Sequence, residues 1–478
     1  MIEDGVRAAF ADVESAAPAG AEAIGPGKAG PGETGRGAAG RGAAGSVAGP
    51  GEFARARRNE VVLVAFTAMT NLADGVLKIV LPLLAVGLGG SPGQVALVGL
   101  TLTLPWLLVS LPVGVLADRA DRRRLVIVAD LVRLAAVAGL LVAVAADACS
   151  LPVLYAVGLA VGLTEVVANT ASGALVPAAV PAERRARTNA WIAGAETLAN
   201  EFCGPAVGGL LVGLGAAVAL GSAAVAFAVG AVLVAMLVGR FRPAPASPGR
   251  TGEAGRTGEA GRDGEGGDAA SGVGGVIAEI REGLVFVWRH RLLRTLTLTI
   301  AVLAASWSAW LALLPSYAAS VLEADAAEYG FLISGIGLGG LAGAGLVSVI
   351  NRLLGVRWAL FADLVGTFLM MGVPAVFPAA WAVAAAAFAG GMGGTLWTVN
   401  ARTIAQALVP DRLLGRYGAA ARLLGWGTLP LGAALGGLLA EIFGLRAAFA
   451  LFAVTVAMLP IPFLRTVTTA ELARSSGS

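Results

Sequence analysis

Twelve stretches of about 20 or more predominantly apolar residues run through this chain, and each is long enough for one helix to cross a hydrocarbon layer about 30 Å thick. They cover residues 61–87, 94–117, 125–145, 152–175, 190–214 and 216–238, then, after a polar interval, 296–322, 329–350, 356–377, 381–405, 414–443 and 445–464. Backbone groups inside a bilayer have no water to bond, and runs of this length satisfy them as helices. A water-soluble globule is excluded by composition: 57% of the 478 residues are hydrophobic and 14% charged, too few polar side chains to cover such a surface. The expected fold is an all-α integral membrane protein of twelve transmembrane helices, numbered here as spans 1 to 12.

Arginine orients the spans. Arg119, Arg122, Arg123, Arg124, Arg184, Arg185, Arg187, Arg352, Arg357, Arg412 and Arg416 fall in the second, fourth, eighth and tenth connections, whereas the odd-numbered ones are neutral or acidic apart from Arg446. Short cytoplasmic loops attract such residues, so both termini and the polar interval are expected in the cytoplasm. The richness in Ala, Gly and Arg suggests a GC-rich bacterial source, hence a bacterial inner membrane. The net charge of +3 gives no nucleic-acid footprint.

Composition divides the rest. Residues 1–59, rich in Gly, Ala, Pro and scattered charge, are expected to be a disordered cytoplasmic tail with no signal-peptide core. Residues 60–240 form a first six-helix bundle. Residues 241–275, with a duplicated TGEAGR, form a disordered linker, and 466–478 a second tail. Between linker and the second bundle (294–465), residues 276–293 place Ile277, Ile280, Leu284 and Trp288 on one helical face, which suits a membrane-surface helix or an amphipathic helix packed on the protein. The bundles repeat one another. ADLV occurs in span 3 around Asp130 and in span 9 around Asp363, 233 positions apart, and Pro82 and Pro315 share that displacement. VPAERRAR from Val180 answers VPDRLLGR from Val409, and GPAVGGLL from Gly204 answers GAALGGLL from Gly432, which indicates a six-plus-six duplication.

Energy-coupling chemistry is restricted. Gly27-Lys28 is followed by alanine, so no phosphate-binding loop exists, and a single histidine, His290, excludes a His-built catalytic or zinc site. No nucleophile–base constellation, metal or cofactor is expected. Cys149 and Cys203 read as small packed residues. Ionisable residues within spans are costly and therefore candidates for function. Asp74 and Lys78 lie one turn apart in span 1, where they can pair, either as structure or against substrate. Glu165 with Asn169 in span 4, Glu196 with Asn200 in span 5, and Glu201 form an acidic group. These carboxyls suit either loading and releasing protons or hydrogen bonding between helices. Asp130, Arg133, Asp363, Arg402 and Arg422 are expected nearer the arginine-rich ends as interhelical pairs or snorkelling side chains. Trp307 and Trp310 lie too deep for an interfacial belt and suit either a cavity for an apolar substrate or packing.

The connection after span 2 reads GVLADRADRRRL at 114–125. Gly114 suits close helix contact, and Asp118 suits an approach to a positive helix N-terminus in the other half, which would latch one of two conformations. Gly114, Leu116, Asp118, Arg119, Arg122 and Arg123 resemble the signature loop of the major facilitator superfamily, with Asp121 where many members have glycine. NLADGVLKIVLPLL in span 1, GLTEVVANTASGALVPAAVP in span 4 and the span 11–12 region resemble the branch of enterobactin exporters and macrolide-efflux pumps. Gly204, Pro205, Gly208 and Gly209 in span 5 are similar to the superfamily's antiporter motif, with Asn200 in place of its first glycine. The resemblance implies two rocking six-helix bundles and a latch of Gly114, Asp118, Arg119 and Arg122 facing span 11 near Asp411–Arg416. It also implies a monomeric exporter exchanging protons for a small amphipathic compound such as a drug, siderophore or natural product. An uncoupled facilitator or importer of the same fold, or a non-transporting sensor, remains the alternative.

Overall fold

The computed structural model describes residues 50–239, 241, 273–468 and 471, all within helices and their short connections. Among them twelve helices are long and apolar enough to cross a membrane: Arg55–Gly87, Pro92–Val109, Arg122–Ala145, Leu151–Ala179, Ala182–Leu214, Ala216–Ala235, Arg291–Ser320, Ala326–Leu354, Val356–Val376, Ala380–Leu408, Arg416–Phe443 and Leu445–Thr466. These are spans 1 to 12. The expected tail 1–59 and linker 241–275 fall largely outside the described residues, although the first helix already begins at Pro50.

Local signals account for the helix ends. Ser91 and Gln94 form a reciprocal capping box at the start of span 2, as Asp325 and Glu328 do at span 8, so two orphan N–H groups are bonded at each. Gly355 and Gly444, with φ of 80° and 85°, turn the chain sharply between spans 8 and 9 and between 11 and 12. Asp121 is the N-cap of span 3: its carboxylate accepts from the Arg124 backbone N–H at 3.2 Å. Glycine could not make that bond. Asp121→Ala is expected to cost about 1 kcal/mol, read as a lowered unfolding midpoint of the purified protein.

Packing follows the duplication. In the first half, span 2 packs on span 4, span 3 on spans 4 and 6, and span 1 on spans 5 and 6. In the second, span 8 packs on span 10, span 9 on spans 10 and 12, and span 7 on spans 11 and 12. Each half buries its own apolar core, one around Leu77, Val98, Leu140 and Phe227 and the other around Trp310, Tyr317, Met370 and Phe449. The halves meet where span 5 packs on span 8 and span 11 on span 2.

The helix expected at 276–293 covers Val273–Arg289 and packs on span 11 along its described part. Val287 is buried, Glu282 pairs with Arg416 at 2.5 Å, and a Cβ on Gly283 would overlap the Arg416 carbonyl. Trp288 remains exposed, and the side chains of Ile277 and Ile280 lie outside the described residues.

Candidate functional site

The polar residues of spans 1, 3, 4 and 5 converge in the first half. Spans 1 and 5 approach to backbone contact: a Cβ on Gly75 would stand 2.8 Å from the Gly204 Cα and 2.9 Å from the Asn200 carbonyl. Just before Gly204, residues Thr197–Cys203 form a π-helical turn, and Pro205, which has no N–H to return, opens the next α-helical segment. This wide turn presents Asn200 and Glu201 to span 1. The Asn200 amide donates to Asn71 Oδ1 at 3.0 Å, and Lys78 Nζ stands 3.1 Å from Glu201 Oε1.

The expected Asp74–Lys78 ion pair therefore gives way to two interhelical ones. Asp74 pairs instead with Arg133 of span 3, Oδ2 to Nη1 at 3.5 Å. Residues i and i+4 differ by about 40° around a helix, so each can meet an opposite charge on a different neighbour. Arg133 also approaches Asp130 at 3.6 Å and lies 5.2 Å from the Phe227 ring centre. It is 2% exposed, so snorkelling is replaced by burial among partners. Span 3 had offered a signal for this, an acid and a base three residues apart, but not the identity of the third partner.

Glu165 is partly exposed and within electrostatic reach of Asp74, Arg133, Lys78 and Glu201. Glu196 is exposed. Neither forms an ion pair, or a hydrogen bond with its expected companion Asn169 or Asn200, among the described residues. Hence Lys78, Asp74, Glu165, Glu196, Asn200 and Glu201 do come together, while Asn169 stays exposed and apart. A cavity of about 350 Å³ lined by Val80, Leu84, Val144, Cys149 and Val212 lies at the arginine-poor rim, and no residue of this cluster lines it.

Each glycine of the span 5 motif serves a different seam. Gly204 and Gly208 pack against Gly75 and Val76 of span 1, whereas Gly209 faces the other half. A Cβ on Gly209 would overlap the Ala326 carbonyl and stand 2.9 Å from the Gly330 Cα of span 8. Further joints between the halves lie at the same end: Gly93 N–H donates to Glu441 at 3.0 Å, and Gly437 packs on Ala96. Midway, the Ser334 hydroxyl donates to the Phe202 carbonyl at 2.9 Å. Towards the arginine-rich ends Arg187, Asn189 and Glu196 of span 5 and Thr398, Arg402, Thr403 and Gln406 of span 10 are exposed. Side chains of this kind are costly against lipid.

At the signature loop, the side chains of Asp118 and Arg119 lie outside the described residues, as do those of Asp411 and Arg412. Gly114 makes no close contact in this conformation, a Cβ there meeting nothing within 4 Å. Arg122 donates to the Ala174 carbonyl at 3.2 Å and Arg123 to the Ala235 carbonyl, so these two bond the C-terminal carbonyls of spans 4 and 6 within their own half. In the second half Trp310 is fully buried in the core, which is the packing alternative; partly buried Trp307 donates from Nε1 to Thr367 Oγ1 at 3.1 Å.

Comparison with known proteins agrees with this architecture. Residues 63–354 match the family model described as Major Facilitator Superfamily, and residues 273–474 one described as transmembrane secretion effector. The multidrug efflux pump Tap of Mycolicibacterium fortuitum is 26% identical over 406 residues, covering 82% of this chain and 92% of that protein. Tap of Mycobacterium tuberculosis is 30% identical over 302 residues, covering 60% and 65%. Among solved structures, a bacterial homologue of the iron transporter ferroportin in an inward-facing state superposes with a TM-score of 0.63 at 16% identity, over 86% of this chain and 98% of that one. The nucleoside transporter NupG superposes with a TM-score of 0.60 at 11% identity, over 85% and 98%.

Proposed function

The chain belongs to the Major Facilitator Superfamily, a family of membrane transporters rather than enzymes, and from that premise we propose that it exports a small amphipathic compound in exchange for protons by alternating access. The observation that carries this reading is the central cluster: Asp74, Asp130, Glu165, Glu196 and Glu201 outnumber Lys78 and Arg133, and Glu196 is exposed. Excess carboxyls at membrane depth can take up protons as access alternates. The Tap relatives are multidrug efflux pumps by name, which supports the outward direction. The arginine-rich end is cytoplasmic in this reading, both termini lie in the cytoplasm of a bacterial inner membrane, and the protein works as a monomer.

Each bundle, residues 60–240 and 294–465, moves as a unit. The contacts of Gly209 with Ala326 and Gly330 close the outer face, and Gly114, Asp118 and Arg119 latch the inner face when it shuts. A drug, siderophore or related natural product with an apolar body fits a path lined by Trp307 and the span 4 and 5 polar residues.

Proteoliposomes loaded with a fluorescent amphipathic drug and given a pH gradient test the reading. Export is expected to follow the gradient, and the double variant Glu165→Gln with Glu196→Gln to lose at least about tenfold of the gradient-driven rate, equivalent to about 1.4 kcal/mol of coupling. Flux indifferent to the gradient, or unchanged in the double variant, assigns an uncoupled facilitator instead. Binding without flux assigns a sensor.

A further inference from the structure

The duplication leaves an aspartate in each half, Asp130 in span 3 and Asp363 in span 9, 233 residues apart. Their surroundings have diverged. At the same displacement Arg133 corresponds to Gly366, and Asp74 to Trp307. Asp363 is 1% exposed and accepts a hydrogen bond from the Thr367 hydroxyl at 3.3 Å, which in turn accepts from Trp307. No side chain fits at 366, where a Cβ would stand 2.5 Å from the Ala389 carbonyl. The charged groups on the helices packed around span 9, Arg291 and Arg294 on span 7, Glu328 and Arg352 on span 8, Arg402 on span 10 and Arg446 and Arg465 on span 12, form no ion pair with Asp363 among the described residues. Arg357 of its own helix bonds the Leu464 carbonyl. Asp363 thus has one hydrogen-bond donor and, among the described residues, no ion-pair partner.

The first half is different. Asp130, Arg133 and Asp74 are 0%, 2% and 7% exposed. One guanidinium nitrogen, Nη1, lies 3.5 Å from Asp74 and 3.6 Å from Asp130. Asp74 Oδ1, both Asp130 oxygens and Arg133 Nε and Nη2 have no hydrogen-bond partner among the described residues. Two acids thus compete for one nitrogen of one base, with most of their bonding capacity unused. Fully ionised, the triad would carry one uncompensated negative charge in a dry space, which a single proton removes. The facing groups do not supply that compensation: Lys78 is paired with Glu201, and Glu165 adds another carboxyl.

We propose that Asp74 and Asp130 share one exchangeable proton about Arg133, which makes Arg133 a positioning residue that ties span 1 to span 3 in a proton-dependent way. With the proton on Asp130, Arg133 is free to close on Asp74. When the proton leaves to water one O–H bond breaks, nothing else is exchanged, and Asp130 competes for the guanidinium and loosens the tie. The proposal deepens the proton-coupled reading of the same cluster and rests on it for its role in transport.

The test is infrared difference spectroscopy of the full chain in lipid nanodiscs between acidic and alkaline buffer. Asp74→Asn and Asp130→Asn are each expected to remove the same titrating carboxylic-acid band, because either substitution abolishes the shared proton. Asp363→Asn is expected to leave that band in place, and Arg133→Lys to keep it with a shifted midpoint. Carbon-13 aspartate in the unsubstituted chain assigns the band to aspartate even where a variant does not fold. Two different bands lost, or none, overturns the proposal. Gradient-indifferent flux with the shared band present overturns the coupling reading alone, and gradient-driven flux without it overturns the shared proton alone.

Discussion

Gly209→Leu is expected to hold the two halves apart at the arginine-poor face and to abolish transport. The added Cβ would overlap the Ala326 carbonyl and come within 2.9 Å of the Gly330 Cα, both backbone atoms of span 8, so no side-chain rotation relieves the clash. Its partner is no more forgiving, since a Cβ on Gly330 would stand 2.6 Å from the Pro205 carbonyl. Overfilling such a seam costs roughly 1–3 kcal/mol or more, and each 1.4 kcal/mol moves a two-state population about tenfold. Spin labels at Leu88 and Phe377, exposed on opposite halves at this face, measure the result. The distance distribution is expected to shift to longer values by at least about tenfold in population, with substrate flux lost in parallel. Gly213→Leu, four residues on in the same span with nothing within 4 Å of its Cβ position, is expected to leave both unchanged.

The second large effect is expected at Arg133→Met. Removing the guanidinium strands Asp74 and Asp130 in a buried site and also loses the contact with the Phe227 ring. Breaking a buried pair by deleting one partner costs about 3–5 kcal/mol, because the charge left behind has neither water nor partner. A marked fall in the unfolding midpoint and in the yield of monodisperse protein is therefore expected. Lys78→Met is the contrast. Its partner Glu201 is 48% exposed at the side chain and Lys78 itself 40%, so solvent takes over and the loss stays within about 1 kcal/mol. Equal destabilisation by the two substitutions would show that Arg133 is solvated.

The positions of the twelve spans were legible because hydrophobic run length and arginine placement are local properties. Most ends agree to within a few residues; the start of span 5 at Ala182 rather than 190 reflects first turns that are polar, and the end of span 2 at Val109 rather than 117 falls within a helix that itself continues to Arg119. Pairing within the site was legible only in part. Helical spacing correctly brought Asp74 and Lys78 onto neighbouring positions, but whether they meet each other or Arg133 and Glu201 is decided by which helices stand alongside, a choice periodicity does not encode. Arg122, which the family resemblance places in the latch, bonds a carbonyl of span 4, 52 residues on, a partner its own loop does not encode. Trp307 and Trp310, three residues apart, have different environments for the same reason: one faces Thr367 and the other the core.

Span 5 is one continuous rod to the eye but two pieces mechanically. On one side of the π-helical turn Thr197–Cys203 the side chains of Arg187, Asn189 and Glu196 are exposed, and on the other Gly204, Gly208 and Gly209 are wedged against spans 1 and 8. A turn with one extra residue is bonded differently from the α-helix on either side of it. The wide turn therefore sets how Asn200 and Glu201 stand towards Asn71 and Lys78 of span 1, and those two contacts hang on that joint.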